Sequence, residues 1–289
     1  MQQLTDSANI IVLGTAQDGG FPHTGCSEKC CREAWENTEK KRLIASLGVL
    51  SGKDCFLVDI TPDFKYQLRL IEHHLDEKPH ISGICITHAH LGHYMGLLEL
   101  GLEVMNTNDI PVYVMPKMKS FLENNAPFTQ LLELNNIRLL VLQDNYPIDI
   151  FKDVKITPFQ VPHRNEYSET VGYRIQSSRH SVLYIPDIDS WDGWDTDINE
   201  LIKESDIALL DGTFYDKTEL KNRDVSAIPH PSIRESIKQF STLDKMDRKK
   251  VNFTHLNHTN NVLREGSEAR KDLIQKGFQI AYDGMVISI

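Results

Sequence analysis

Thr87-His88-Ala89-His90-Leu91-Gly92-His93 closes the apolar run that begins at Ile81, and the reading of this stretch decides the fold. Residues two apart on an extended segment point the same way, so a strand over residues 81–87 delivers His88 and His90 to one point in space. His93 follows across the turn. Imidazole is the commonest ligand for borderline metals such as zinc. Three histidines packed so closely at a strand-to-helix junction therefore read as a metal site rather than as packing. His73, His74, His80 and His180 stand alone in polar settings and read as surface residues.

Outward from this point the same form recurs. Residues 10–13 are a short apolar run ending at Gly14, followed by a loop punctuated by Gly19, Gly20 and Pro22. Residues 45–50 and 55–60 read as strands joined by a hairpin at Ser51, Gly52 and Lys53. The period then changes to helical: Asp63 can cap, and Phe64, Leu68, Ile71 and Leu75 share a face. Residues 94–105, with Leu97, Leu98, Leu100 and Val104, read as a helix packed on the sheet. Further strands are expected at 111–115, 137–142, 154–159, 160–161, 170–175, 181–185, 207–210 and 251–253, and helices at 118–124 and 232–240. Again and again a strand ends at or just before a His or an Asp. No repeat, low-complexity segment or linker forces a split, so residues 1–289 read as one domain with insertions.

Hydrophobic residues make up 40% of the chain and charged residues 25%, enough apolar surface for a sizeable core. A net charge of −10 argues against a nucleic-acid footprint, which needs clustered Lys and Arg. The basic run Lys245, Arg248, Lys249 and Lys250 is interrupted by Asp247 and reads as a solvated connection. The implied partner is a small-molecule substrate, anionic if metal supplies local positive charge. No apolar stretch reaches the ~18–20 residues of a membrane span, and residues 1–9 show no signal-peptide pattern, so the expected location is the cytoplasm. A homodimer is compatible with the chain; no partner protein is indicated. Cys55 and Cys85 lie inside apolar strands and read as buried hydrophobes. Cys26, Cys30 and Cys31 cluster, which in a reducing compartment points to a metal ahead of free thiols or a redox role.

The pattern His88-x-His90-x-x-His93, then His163 in Val-Pro-His, Asp187 in Tyr-Ile-Pro-Asp and His255 in Phe-Thr-His, resembles the ordered ligand set of the metallo-β-lactamase superfamily. Within it the chain is similar to the pyrroloquinoline quinone biosynthesis protein B group and to the cyclic-phosphate phosphodiesterases of the carbon–phosphorus lyase pathway. The Leu-Gly-Thr-Ala loop before the cysteines, Leu-Leu-Asp-Gly-Thr-Phe and Thr-His-Leu-Asn-His-Thr-Asn carry that match. The resemblance implies an α/β fold, a four-layer αβ/βα sandwich with a metal centre at the shared edge of two sheets. It implies His88, His90 and His163 at a first metal, His93 and His255 at a second, and Asp187 bridging them. It further implies His258 as fourth donor to a structural zinc on Cys26, Cys30 and Cys31, with the choice between the adjacent Cys30 and Cys31 open. His230, in Ile-Pro-His-Pro-Ser, falls where the phosphodiesterases carry a histidine thought to act in catalysis; shaping a Pro-rich turn is the alternative. His23 is a reserve ligand or substrate contact, Arg164 and Tyr167 follow His163 as pocket candidates, and Trp191 and Trp194 wall the substrate site or simply pack.

The implied activity is hydrolysis by metal-bound hydroxide, on a phosphodiester or cyclic phosphate first and a lactone or ester next. Zinc is the expected catalytic metal, one ion or two, with manganese or iron compatible. An iron-dependent hydroxylase in quinone-cofactor biosynthesis and a non-catalytic metal-bound carrier are the alternatives. One residue departs from the family pattern: Gly92 stands where an Asp usually precedes the last histidine of the motif. The expected outcomes are a weaker second metal, a single metal, or recruitment of another carboxylate such as Asp189 or Asp211. Asp211 can equally hydrogen-bond a ligating histidine.

Overall fold

The computed structural model describes residues 8–219 and 228–289; the polar residues 1–7 lie outside it. The first half of the chain gives β1 (Asn9–Gly14), β2 (Ser46–Ser51), β3 (Asp54–Val58), β4 (His80–Cys85), β5 (Ile110–Val114) and β6 (Ile137–Val141). The second gives β7 (Ile148–Phe151), β8 (Val154–Gln160), β9 (Val171–Gln176), β10 (Ser181–Ile185), β11 (Ile207–Asp211), β12 (Val251–Thr254) and β13 (Gln279–Ile280), before β14 (Val286–Ser288) returns to pair with β1. Two mixed sheets result, ordered β14-β1-β2-β3-β4-β5-β6 and β13-β12-β11-β10-β9-β8-β7.

Strict alternation builds the layers. In β1, Ile10 and Val12 face the second sheet while Ile11 and Leu13 face the outer helices; in β10, Val182 and Tyr184 face inward while Leu183 and Ile185 face outward. Both faces are buried, which is why these strands read as continuous apolar runs rather than as alternating ones. Helices cover both outer faces, Phe64 and Ile71 on one side and Ile198, Ile233 and Leu273 on the other, so the expected four-layer sandwich is the observed one. The neighbours β3–β4 and β10–β11–β12 run parallel, and their carboxyl ends lead to Asp59, His88, Asp187, Asp211 and His255. Parallel strands gather their exits at one rim, where open α/β sheets bind ligands.

Three local expectations change. Asp63 precedes the helix Phe64–Leu75, yet its carboxylate does not cap it; Oδ2 accepts from the Ile44 backbone N–H at 3.0 Å. Residues 94–105 are not one α-helix but a short helix, Leu91–Tyr94, and a 3-10 segment, Met95–Leu100. Gly96 explains the break: its N–H donates to Ile60 O, and a Cβ there would lie 2.3 Å from Thr61 O, so the backbone turns against the exit of β3. The basic run is a short helix, Lys245–Lys250, capped by Asp244, rather than a connection. Among the described residues no helix is long and apolar enough to cross a membrane.

Candidate metal centre

Each histidine at the rim is aimed by a partner on its far nitrogen. His88 Nδ1 lies 3.0 Å from Thr87 Oγ1, His93 Nδ1 2.7 Å from Asp59 Oδ2, His163 Nδ1 2.8 Å from Asp189 Oδ1 and His255 Nδ1 3.0 Å from Thr213 Oγ1. Four Nε2 atoms therefore point inward. His90 is reversed: its Nε2 lies 3.1 Å from Arg164 Nη2, and its Nδ1 faces in, 2.8 Å from His88 Nε2 and 3.2 Å from His163 Nε2. Such partners fix tautomer and ring direction at metal-binding histidines.

The inward atoms fall into two groups that meet at Asp187. His88, His90 and His163 form one; His93 and His255 lie in the other, with Asp187 Oδ2 3.0 Å from His93 Nε2, 3.2 Å from His255 Nε2 and 3.7 Å from His88 Nε2. Among the described residues His93 Nε2, His255 Nε2 and Asp187 Oδ2 are buried without a hydrogen-bond partner. Unpaired buried polar atoms are expensive, and here they converge on one space, so the donor set fits cations. Burial alone would raise the Asp187 pKa, but His255, His93 and His88 hold it well below the usual carboxylate range. Burial also opposes charge on His93, but Asp59, Asp18 and Asp187 together outweigh it, raising that histidine; His88 is lowered by burial and His93, and His90 by burial to about 4.

Neither recruit expected for the missing carboxylate is free. Asp189 holds His163, while Asp211 accepts from Thr213 N–H and Oγ1, from Ile188 N–H, and lies 2.7 Å from His230 Nδ1. A carboxylate that sequence reasoning passed over, Asp18, stands at the second group, Oδ1 3.4 Å from His93 Nε2 and 3.9 Å from His255 Nε2. Its loop stood out for its glycines; nothing in the spacing singled out the aspartate. Asp59 was likewise missed.

His230 is buried beside the centre, Nδ1 3.7 Å from Asp187 Oδ1, and borders a cleft of about 420 Å³ with Asp189 and Trp191. Burial opposes its charge and Asp211 restores it, giving a pKa raised to about 9. A second cleft, of about 950 Å³, runs from Gln17 and Asp18 past His23 to Cys26, Cys30 and His258, with Lys29 and Arg264 on its walls. There Cys26 Sγ lies 3.5 Å from Cys30 Sγ, and His258 Nδ1 lies 3.5 Å from Cys30 Sγ and 3.4 Å from Cys31 Sγ, so both adjacent cysteines reach the cluster. Burial pushes the Cys31 thiol up to about 12. His23 packs its ring on His258 and gives its backbone N–H to Cys31 Sγ. Trp191 is core, bonded to Ser236 Oγ at 2.8 Å, though one edge meets the smaller cleft; Trp194 stacks on Phe159, and Tyr167 is exposed against Phe121.

Relatives share this architecture. Coenzyme PQQ synthesis protein B of Xanthomonas campestris pv. campestris is 25% identical over 307 aligned positions, spanning 97% of this chain and 99% of that protein. The protein of the same name from Cupriavidus necator is 27% identical over 310 positions, with the same coverage. The structure of Zn(2+)-bound PqqB from Methylobacterium extorquens matches with a TM-score of 0.83 at 22% identity, over 97% of this chain and 100% of that one. A diphosphatase of the PhnP family matches with a TM-score of 0.67 at 23% identity, over 98% and 97%. The description "Beta-lactamase superfamily domain" covers residues 55–256, the strands and loops that carry the histidines from His88 to His255, and the chain belongs to that superfamily.

Proposed function

We propose that this protein is a metal-dependent hydrolase of a small anionic substrate, a phosphodiester or cyclic phosphate first, a lactone or other ester next. One observation carries the reading: Asp187 lies between two groups of inward-facing imidazoles, its Oδ2 buried and unpartnered beside His93 and His255. His88, His90 and His163 would hold one cation, His93 and His255 the other, and Asp187 would bridge them, with zinc favoured and manganese or iron compatible. Cations bound there would polarise the electrophile and bring the pKa of a water from ~15.7 toward ~7. His230, whose Nδ1 is held by Asp211 at 2.7 Å, would give a proton, or a hydrogen bond, to the leaving oxygen. Arg164, whose Nη2 lies 3.1 Å from His90 Nε2, supplies positive charge at the rim for an anion. Cys26, Cys30, Cys31 and His258 would hold a structural zinc, a four-donor set of the closed type. Reduced thiols suit a cytoplasmic setting. The PhnP-family diphosphatase, a phosphoryl-bond hydrolase by its name, supports the substrate class.

A second reading has its own support: the PQQ synthesis protein B relatives align over 97% of this chain, which favours a step in quinone-cofactor synthesis, and the His and Asp donors suit iron as well as zinc, as an iron-dependent hydroxylation would need. The two separate on metal and reaction. Protein purified without added metal is assayed for metal content, oxygen consumption and turnover of bis(4-nitrophenyl) phosphate, cyclic phosphates and lactones, with His88→Ala as control. Zinc or manganese with turnover abolished in the variant supports hydrolysis; equal inactivity of both proteins on every substrate rejects it for those classes, and dominant iron with oxygen uptake selects the second reading.

A further inference from the structure

We propose that Asp18 supplies the carboxylate that position 92 lacks, so that the second cation site is built from His93, His255 and Asp18 with Asp187 shared. The inference rests on the reading above that these histidines hold metal. Asp18 Oδ1 lies 3.4 Å from His93 Nε2 and 3.9 Å from His255 Nε2, while Asp187 Oδ2 lies 3.0 and 3.2 Å from the same nitrogens. Donors on a tetrahedral zinc at ~2.1 Å stand ~3.4 Å from one another, and the separations of each carboxylate oxygen from the two imidazole nitrogens, 3.0–3.9 Å, are of that order. None of the four has a hydrogen-bond partner among the described residues, although all are buried.

Gly92 belongs to the same device. A Cβ at position 92 would lie 2.2 Å from Asp18 Oδ1 and 2.8 Å from Asp18 Cα, and the second contact is backbone, which no rotamer change relieves. Asp18 and a side chain at 92 therefore compete for one volume: the glycine admits a carboxylate brought from another loop. That loop is laced to the segment after His255. Leu256 N–H donates to Thr15 O at 2.7 Å, Gln17 N–H to Leu256 O at 3.0 Å, and Asn257 Nδ2 to Gln17 Oε1 at 2.6 Å, so Asp18 and His255 are positioned together. Gly92→Asp alone is therefore expected not to tighten the second metal, because the new side chain meets Asp18.

The test is zinc and cobalt titration of the metal-free full chain, read as bound equivalents by elemental analysis and as affinity by chelator competition. It compares wild type, His88→Ala, Asp18→Ala, the near-isosteric Asp18→Asn, Gly92→Asp and the exchange Asp18→Gly/Gly92→Asp. Asp18→Ala and Asp18→Asn are expected to weaken one equivalent by about tenfold to a hundredfold, at least the loss seen when a ligand's supporting partner is removed. The other equivalents stay, which shows the fold intact, and the exchange restores the lost one. Wild-type affinity within twofold in both Asp18 variants overturns the proposal while leaving the metal reading standing. Identical metal content in wild type and His88→Ala overturns the metal reading itself.

Discussion

His93 Nδ1 lies 2.7 Å from Asp59 Oδ2, and neither side chain reaches solvent. Asp59 sits just past β3 with φ +66°, a left-handed conformation that non-glycine residues rarely hold and that clusters at functional sites. The same carboxylate accepts from Thr87 N–H at 2.8 Å and Thr87 Oγ1 at 3.0 Å, tying the exit of β4 to that of β3. Asp59→Asn keeps the shape and removes the charge that orients His93, so second-site metal affinity should fall about 10- to 100-fold. Asp59→Ala also strands the buried Thr87 N–H, at a cost of about 1–3 kcal/mol in urea unfolding. Chelator competition on Asp59→Asn decides the first point: wild-type affinity would remove Asp59 from this role.

What could be read from the chain were the local features, a helical period or an unbroken apolar run. Phe64, Leu68, Ile71 and Leu75 mark a helix whose bounds fall at Phe64–Leu75, and the apolar runs ending in His or Asp mark the strands that reach the rim. Contacts between distant loops have no period. Asp18 and Gly92 share one volume only after β1 and β4 lie in one sheet, and Asp59 looks like any aspartate closing an apolar run until its φ and its two partners are seen. Residues 94–105 misled for the same reason: the leucine spacing is helical, and Leu97 and Leu100 are indeed buried, but the approach of Gly96 to Thr61 O is invisible to periodicity. Short strands such as β13 and β14 lack the length to show alternation at all.

The cysteine cluster joins the helix Lys29–Glu36 to the loop after β12. If it holds zinc, Cys31→Ser should lose one equivalent and lower the melting temperature, and Cys30→Ser should do the same, because both thiols lie within 3.5 Å of His258. Stripped of all metal, wild type and the two variants should melt at one temperature. Elemental analysis beside thermal melts checks this, and full zinc content in either serine variant would show that its cysteine is no ligand. Cys55→Ser, in the core of β3, should leave the metal count unchanged.

Glu219 borders the larger cleft, where burial pushes its carboxyl up to about 7 against the ordinary 4.5. Its Oε1 accepts weakly from Tyr215 N–H at 3.2 Å, too little to offset that burial. A folded-state pKa above the unfolded one means that the native protein binds more protons between pH 4.5 and 7. The group's contribution is therefore full below 4.5 and is lost as pH rises through 7. Denaturant unfolding at pH 5 and pH 7.5 should show Glu219→Gln gaining on wild type at the higher pH. Parallel pH profiles for the two proteins would refute the assignment.

His230 is the group whose chemistry can be separated from metal binding. Asp211 Oδ2 lies 2.7 Å from its Nδ1 and favours the protonated ring, while the Asp187 oxygen nearest to it is 3.7 Å away, too far for a strong competing bond. His230→Gln retains a donor toward Asp211, so the buried carboxylate is not stranded and the fold should hold. It removes a proton that can be transferred. General acid catalysis contributes about 10²- to 10⁴-fold, so kcat on a phosphodiester with a poor leaving group should fall by that order. With a 4-nitrophenolate leaving group, which departs without protonation, the loss should shrink to a few-fold at unchanged metal content. Steady-state kinetics on the two substrate types supply the readout: equal losses on both would mean that His230 binds the substrate or shapes its turn rather than delivering a proton.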